Sequence, residues 1–199
     1  SRIGLNAAIC RHISDPILAD MARGVTKNEI ISQLEMIARK LPGGAIRTTF
    51  IVGYPGETDA CVNELIAFVK EGRFAHVGVF LYSAEPRTPA AKMPDSVPLA
   101  EKQARRDAIM LAQRDVSRRR MQARVGRKIE LLIDNALPKG GNAILNLKSS
   151  GAAARTQLEA PEVDGIVYLT GRGVGKLRPG AFVTAQVIRA LDYDLVARL

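Results

Sequence analysis

The sequence predicts an α/β unit followed by a small all-β unit, with a long helix between them, and three observations carry that prediction. From Lys27 to Tyr82, helix-like and strand-like segments alternate with short links, the pattern of βα units built on a parallel sheet. From Leu99 to about Ala123 there is neither glycine nor proline, which reads as one helix roughly 37 Å long at ~1.5 Å per residue. After Gly126, short β-like runs separated by glycine, proline and polar turns crowd into the last ~75 residues, the texture of an OB-sized barrel. The expected divisions are 1–96, 97–124 and 125–199.

Taken in order, Ile30, Ile31, Leu34, Ile37 and Ala38 recur at helical spacing between Lys27 and Lys40, and Thr26 with Glu29 forms a capping box. Pro42-Gly43-Gly44 ends that helix. Ile46–Gly53 is β-branched and aromatic, which suits a strand buried on both faces. Tyr54-Pro55-Gly56 breaks it, and Thr58 or Asp59 caps a helix with the stripe Val62, Leu65, Ile66 and Val69. His76–Tyr82 is a second short buried strand. Residues 83–98, with four prolines, are a loop. The long helix has a thin apolar side, Ala104, Ala108, Ile109, Ala112 and Val116, and is otherwise basic. Lys128–Asp134, Ala143–Leu147, Gly165–Thr170 and Ala181–Ala190 are the strand candidates of the last unit.

The chain of 199 residues is 47% hydrophobic and 25% charged, which excludes disorder and a disulfide scaffold. No apolar run approaches ~18 residues, so no membrane helix is expected. Cys10 and Cys61 belong to no CxxC or CxxxC pair, so neither a self-contained zinc nor a cluster site is predicted, and the expected compartment is reducing cytoplasm. The net charge of +9 is concentrated: residues 96–128 hold ten basic and three acidic side chains, whereas 129–199 hold eight and seven. A uniformly basic nucleic-acid-binding domain would not show this distribution.

The most informative stretch is Arg47-Thr48-Thr49-Phe50-Ile51-Val52-Gly53-Tyr54-Pro55-Gly56-Glu57-Thr58, a buried strand running into a glycine-rich turn and a helix start. In α/β architectures ligands sit at the carboxyl ends of strands, where glycine allows close backbone approach. A phosphate-binding loop would need Gly-Lys-Ser/Thr, but Gly56 is followed by Glu57. A tight βα turn without any ligand explains the same residues equally well.

This stretch resembles the RTTFIVGFPGET segment of methylthiotransferases, a branch of the radical S-adenosylmethionine enzymes. Arg11-His12-Ile13-Ser14, Met21-Ala22-Arg23 with Thr26, Val77–Phe80 with Tyr82-Ser83, Thr88-Pro89-Ala90 and Ala160–Gly165 resemble further family segments in order and spacing. Ala160–Gly165 resembles a stretch of the TRAM domain, a small β-barrel. The sequence departs from the family pattern at Ile9, Arg11, Ala22, Tyr54 and Arg87, which stand for the usual Pro, Gln, Asn, Phe and Gly. It also lacks the family's CxxxCxxC motif. The resemblance therefore implies the C-terminal part of such an enzyme: the last strands of a radical-SAM (β/α) partial TIM barrel, a connecting helix and a TRAM barrel.

The family's cofactors are S-adenosyl-L-methionine and two 4Fe-4S clusters, and the cluster ligands lie outside this chain. One branch modifies tRNA; the other adds a methylthio group to the β-carbon of an aspartate in a small-subunit ribosomal protein. Residues 129–199 are nearly neutral and contain only Tyr168, Phe182 and Tyr193 as aromatics, which favours the protein substrate. By resemblance, His12, Arg23, Ile51, Gly53, Gly56, Glu57 and Tyr82 line the S-adenosylmethionine side. Each has a plainer reading: His12 as a helix-entry histidine, Arg23 as a solvated arginine, Glu57 as a helix cap, Tyr82 as packing. His76 is expected at the surface and Cys10 and Cys61 as small buried residues. Arg118–Arg120 is either a solvated face or a contact to ribosomal RNA by the basic helix 99–123. A plain binding module that docks to the ribosome without chemistry is the second class of function.

Overall fold

Parallel strand pairing comes first along the chain and antiparallel pairing second. The computed structural model describes residues 5–6, 11–86, 88–94, 97–137, 151–160 and 163–199. These form two compact units, 5–116 and 117–199. In the first, β1 (Leu5–Asn6), β2 (Ile46–Val52) and β3 (His76–Leu81) pair in parallel in the order β1-β2-β3. Helices α1 (Asp15–Asp20), α2 (Lys27–Lys40) and α3 (Asp59–Lys70) alternate with them. The expected capping box of α2 forms, with Thr26 accepting from the Glu29 amide and Glu29 reaching back to the Thr26 amide. For α3 the cap is Thr58, whose side chain accepts from the Cys61 amide.

The strands explain why this unit holds together. Ile46, Phe50 and Val52 of β2 pack with Ile30 and Leu34 of α2 and Leu65, Phe68 and Val69 of α3. Phe74 meets both Phe50 and Phe68 edge-on, at 5.8 Å between ring centres. The expectation that β2 is buried on both faces is corrected: burial alternates strictly, and Arg47, Thr49 and Ile51 are only half-buried. They pair with His76, Gly78 and Phe80, and Phe80 is 65% exposed. Among the described residues the apolar core lies against one sheet face, so the pleat separates the two sets of side chains.

Helix α1 was not evident in the sequence because six residues offer no periodic window. It ends in a Schellman motif: the Arg23 amide donates to the Leu18 carbonyl and the Ala22 amide to the Ala19 carbonyl, both at 2.9 Å. Ala22 therefore sits at φ +52°, the left-handed region that glycine or asparagine tolerates better.

Helix α4 (Leu99–Gln122) contributes 99–116 to the first unit and its remainder to the second. Its buried face differs from the expected one. Ile109, Ala112 and Val116 are buried as expected, but Ala104 and Ala108 are exposed, and Lys102, Arg105, Gln113 and Ser117 are buried instead. Alanine is small enough for either environment, and the charged residues disguise the helical stripe.

The second unit is a closed five-stranded barrel of β4 (Lys128–Leu137), β5 (Gly151–Arg155), β6 (Val167–Thr170), β7 (Phe182–Ala190) and β8 (Leu195–Arg198). The order is β4-β5-β6-β8-β7, closed by β7 on β4; only the β6–β8 pair is parallel, as in an OB-type barrel. Leu131, Ile133, Val167, Leu169, Val187 and Leu195 fill the interior with the small residues Ala152, Ala154, Ala185 and Ala197. The expected strand at Ala143–Leu147 lies outside the described residues. Strand β5, with three alanines and a glycine, carries almost no β propensity and was missed. Met121 of α4 packs into this barrel's core, so the compact unit begins at Ser117.

Two outcomes test these packing arguments. Ala22→Gly should raise stability by about 0.5–1 kcal/mol in denaturant unfolding, because relief of left-handed strain exceeds the added chain entropy. Gly165→Ala should cost about 3 kcal/mol or more, since its Cβ would stand 1.9 Å from the Tyr193 carbonyl oxygen, a backbone atom that cannot swing aside.

Candidate strand-end site

The residues that resemble the cofactor side converge unequally on the carboxyl ends of β2 and β3. Strand β2 runs into Gly53 at φ +74°, followed by a turn in which the Glu57 amide donates to the Tyr54 carbonyl at 2.9 Å. Pro55 and Gly56 are its central residues, and Gly56 at φ +84° supplies the positive φ that a type II turn requires. The turn delivers the Glu57 side chain inward, where it is fully buried.

Burial of a carboxylate demands partners, and Glu57 has them on both oxygens. Oε1 lies 3.1 Å from His12 Nε2. Oε2 accepts from the Gly53 amide at 2.5 Å and from Arg105 Nη1 at 2.8 Å. Burial by itself pushes the Glu57 carboxyl up, but the hydrogen bonds from His12, Gly53 and Arg105 together outweigh it and hold the group below its usual 4.5. Burial likewise works against the Arg105 charge, and the bond and attraction to Glu57 overcome it and raise the guanidinium.

His12 is fully buried, and the Ser14 amide donates to its Nδ1 at 3.0 Å. Nδ1 must therefore be the acceptor, which places the proton on Nε2, facing Glu57. Both ring nitrogens are committed inside the protein. Gly53 is also enclosed: a Cβ there would meet the Lys102 stem at 2.3 Å. By contrast, a Cβ at Gly56 would meet nothing within 4 Å.

Lys102 is 5% exposed; its Nζ lies 3.3 Å from the Tyr82 carbonyl and 5.2 Å from the centre of the Tyr82 ring. Tyr82 packs edge-on against Tyr54 at 5.1 Å, and its buried hydroxyl has no partner among the described residues. Tyr54 is itself buried, its hydroxyl donating to the Asp20 carbonyl at 3.0 Å. Ile51 is half-buried, and its amide donates to the Arg11 carbonyl at 2.8 Å.

The structure thus brings together His12, Gly53, Glu57 and, next to them, Tyr82, with Gly56 inside the turn and Ile51 on the strand that leads into it. Arg23 remains exposed just beyond the end of α1, with no side-chain hydrogen bond to the Glu57 cluster among the described residues. Cys61 is half-buried in a polar setting rather than an apolar one: its Sγ lies 3.4 Å from Ser14 Oγ and 3.2 Å from Thr58 Oγ1. Sequence reasoning missed Lys102 and Arg105, which sit three apart on α4. Their spacing with Ile109, Ala112 and Val116 was the available signal, but two cations in a basic helix look like a solvated face.

The second unit spends part of its basic run internally. Arg118 pairs with Asp192 at 2.6 Å, and Arg124 pairs with Glu159 at 2.7 Å, while Arg120 is half-buried. Of the barrel's aromatics, Phe182 is 68% and Tyr193 39% exposed, whereas Tyr168 is buried.

An α/β unit with a polar strand-end cluster, followed by an OB-type barrel, is the class that these features define, and residues 125–199 match the TRAM domain family. Along nearly its whole length the chain is similar to ribosomal protein uS12 methylthiotransferases called RimO. The protein of that name from Anaeromyxobacter sp. (strain K) is 41% identical over 189 residues, 95% of this chain and 38% of that protein. The one from Syntrophotalea carbinolica is 40% identical over 95% of this chain, and that from Alkaliphilus oremlandii 37% identical over 99%. The chain spans about two fifths of the length of these relatives.

A pH dependence follows from the buried carboxylate. Because the Glu57 pKa is depressed in the folded state, its contribution to stability is present above about pH 4.5 and is lost as pH falls through the lower folded value. Glu57→Gln should lower stability at pH 7 and flatten the acid limb of the stability curve, as measured by denaturant unfolding between about pH 3 and pH 7.

Proposed function

We propose that this chain is the C-terminal part of a radical S-adenosylmethionine methylthiotransferase of the ribosomal-protein-modifying branch. The observation that supports this reading most is that the similarity to uS12 methylthiotransferases covers 95% of the chain, including the strand-end turn as well as the barrel. On this reading the first unit supplies the last strands of a partial (β/α) barrel. The half-buried face of β2 and β3, with Thr49, Ile51 and Phe80, would then be barrel interior, which suits the general rule that parallel sheets are covered on both faces.

The strand ends fit part of S-adenosylmethionine. Ile51 and Phe80 offer an apolar surface, Gly56 leaves open space, and the Tyr82 hydroxyl is a buried polar atom without a partner among the described residues. These four would hold the adenosine side. His12, Gly53 and Glu57, whose polar atoms are committed to one another, would shape the turn rather than touch the ligand. When bound, S-adenosylmethionine and the two 4Fe-4S clusters supply radical chemistry and the methylthio group. The residues present here would orient the nucleoside and keep water from it. The cluster ligands are assigned to residues outside this chain.

The barrel is proposed to hold the small-subunit ribosomal protein in the cytoplasm. No helix among the described residues is long and apolar enough to cross a membrane. With eight basic and seven acidic residues in 129–199, few phosphates could be neutralised, and counterion release could drive little of the affinity. A protein interface depends instead on a desolvated centre with a few anchors, and on this reading the exposed Phe182 would serve as one.

Residues 125–199, produced without the basic helix 99–123 whose charge alone would attract RNA, should bind the ribosomal protein more tightly than tRNA at physiological salt. Titrations at about 0.05 and 0.2 M salt decide the matter: a protein complex should weaken less than tenfold, whereas a complex held by many phosphates weakens a thousandfold or more. Tight tRNA binding with a steep salt slope would move the assignment to the tRNA-modifying branch.

A further inference from the structure

We infer that Arg105 is a positioning residue for the strand-end turn: from a helix that follows the sheet in sequence, it holds Glu57 and, through Glu57, the His12 ring and the Gly53 amide. The inference rests on the reading of this turn as part of the S-adenosylmethionine site. Its basis is the way the guanidinium engages residue 57 twice. Nη1 donates to the Glu57 carbonyl at 3.0 Å and to Oε2 at 2.8 Å. A single nitrogen thereby fixes both backbone and side chain of the residue that closes the turn.

The second terminal nitrogen is tied down as well, while the buried Nε has no partner among the described residues. Nη2 donates to Asp59 Oδ1 at 3.1 Å and to Glu101 Oε1, and the side chain is only 8% exposed. These contacts stop the planar fork from rotating. Among the described residues Arg105 is the one arginine or lysine paired with Glu57. Without it the carboxylate would be buried beside a neutral imidazole and a peptide amide, and its most favourable response would be to take up a proton or turn towards water. Either response removes the acceptor that faces His12 Nε2 and Gly53 N. The ring would then lose what selects its tautomer, and Gly53 would lose the bond that anchors its positive φ.

A lysine at position 105 keeps the charge but lacks the planar fork that engages Glu57, Asp59 and Glu101 together, which makes Arg105→Lys the discriminating variant. The sequence contains two histidines, so nitrogen NMR of the imidazoles resolves His12 once His76→Asn has assigned the other signal. The unaltered chain should show His12 as one tautomer protonated at Nε2. Arg105→Lys should show mixed tautomers and Gly53 amide exchange about tenfold faster, while Arg106→Lys on the exposed side leaves both unchanged. If Arg105→Lys fails to fold, Glu57→Gln, which removes the carboxylate and keeps the size, should produce the same two changes.

An unchanged His12 tautomer and unchanged Gly53 exchange in a folded variant overturn the inference. The cofactor reading is tested separately by calorimetric titration of S-adenosylmethionine into the full-length protein. There Arg105→Lys should weaken binding about tenfold through lost preorganisation. A disturbed tautomer with unchanged S-adenosylmethionine affinity supports Arg105 as the positioning residue and overturns the assignment of this turn to the cofactor.

Discussion

A carboxylate removed from water is the constraint around which the first unit is organised. Glu57 is buried with its charge, and that is tolerable only because three chain segments reach it: the residues before α1 through His12, the end of β2 through Gly53, and α4 through Arg105. These partners lie up to 48 residues from Glu57 in sequence. Removing Arg105 would leave the Glu57 carboxylate buried without a countercharge at a cost of about 3–5 kcal/mol, more than a typical point substitution. The same network imposes positive φ at Gly53, one tautomer on His12 and burial on a helix face that carries arginine and lysine. The turn geometry and the helix packing are thus two consequences of one electrostatic requirement.

The barrel solves its packing differently. Its interior is apolar and fine-grained, with alanines on β5, β7 and β8 interleaved with leucine, isoleucine and valine from the other positions. Small side chains let five strands close into a narrow barrel without voids. Where the chain must pass close to itself, at Gly165 under the Tyr193 carbonyl, no side chain fits at all. The unit's ion pairs, Arg118 with Asp192 and Arg124 with Glu159, join the end of α4 to barrel segments far along the chain. They draw on the basic run that appeared, in the sequence, to be wholly available to solvent or nucleic acid.

The similarity to uS12 methylthiotransferases and the polar cluster bear on function at different levels. The similarity runs through both units and identifies the relatives. The cluster separates residues whose polar atoms are spent on one another from those that leave an apolar surface, an open glycine or a partnerless hydroxyl at the same strand ends. Of the residues expected to face the cofactor, His12, Gly53 and Glu57 fall in the first group and Ile51, Gly56 and Tyr82 in the second, while Arg23 stands apart. That division follows from hydrogen-bond accounting, since a nitrogen or oxygen already satisfied inside the protein has little left to offer a ligand.

What the sequence determined by itself was local or periodic. The Thr26–Glu29 capping box, the β2-turn-α3 passage, the long glycine-free helix and the change to short strands after Gly126 all depend on residues within a few positions of one another, and each was legible. The alanine-rich β5 and the six-residue α1 carry too little local preference to be seen. Tertiary structure alone decided which face of α4 is buried and which oxygen of Glu57 meets which donor. The reason is physical: alanine suits either environment, lysine and arginine read as solvent-facing, and a buried charge is allowed only when distant segments arrive together to balance it.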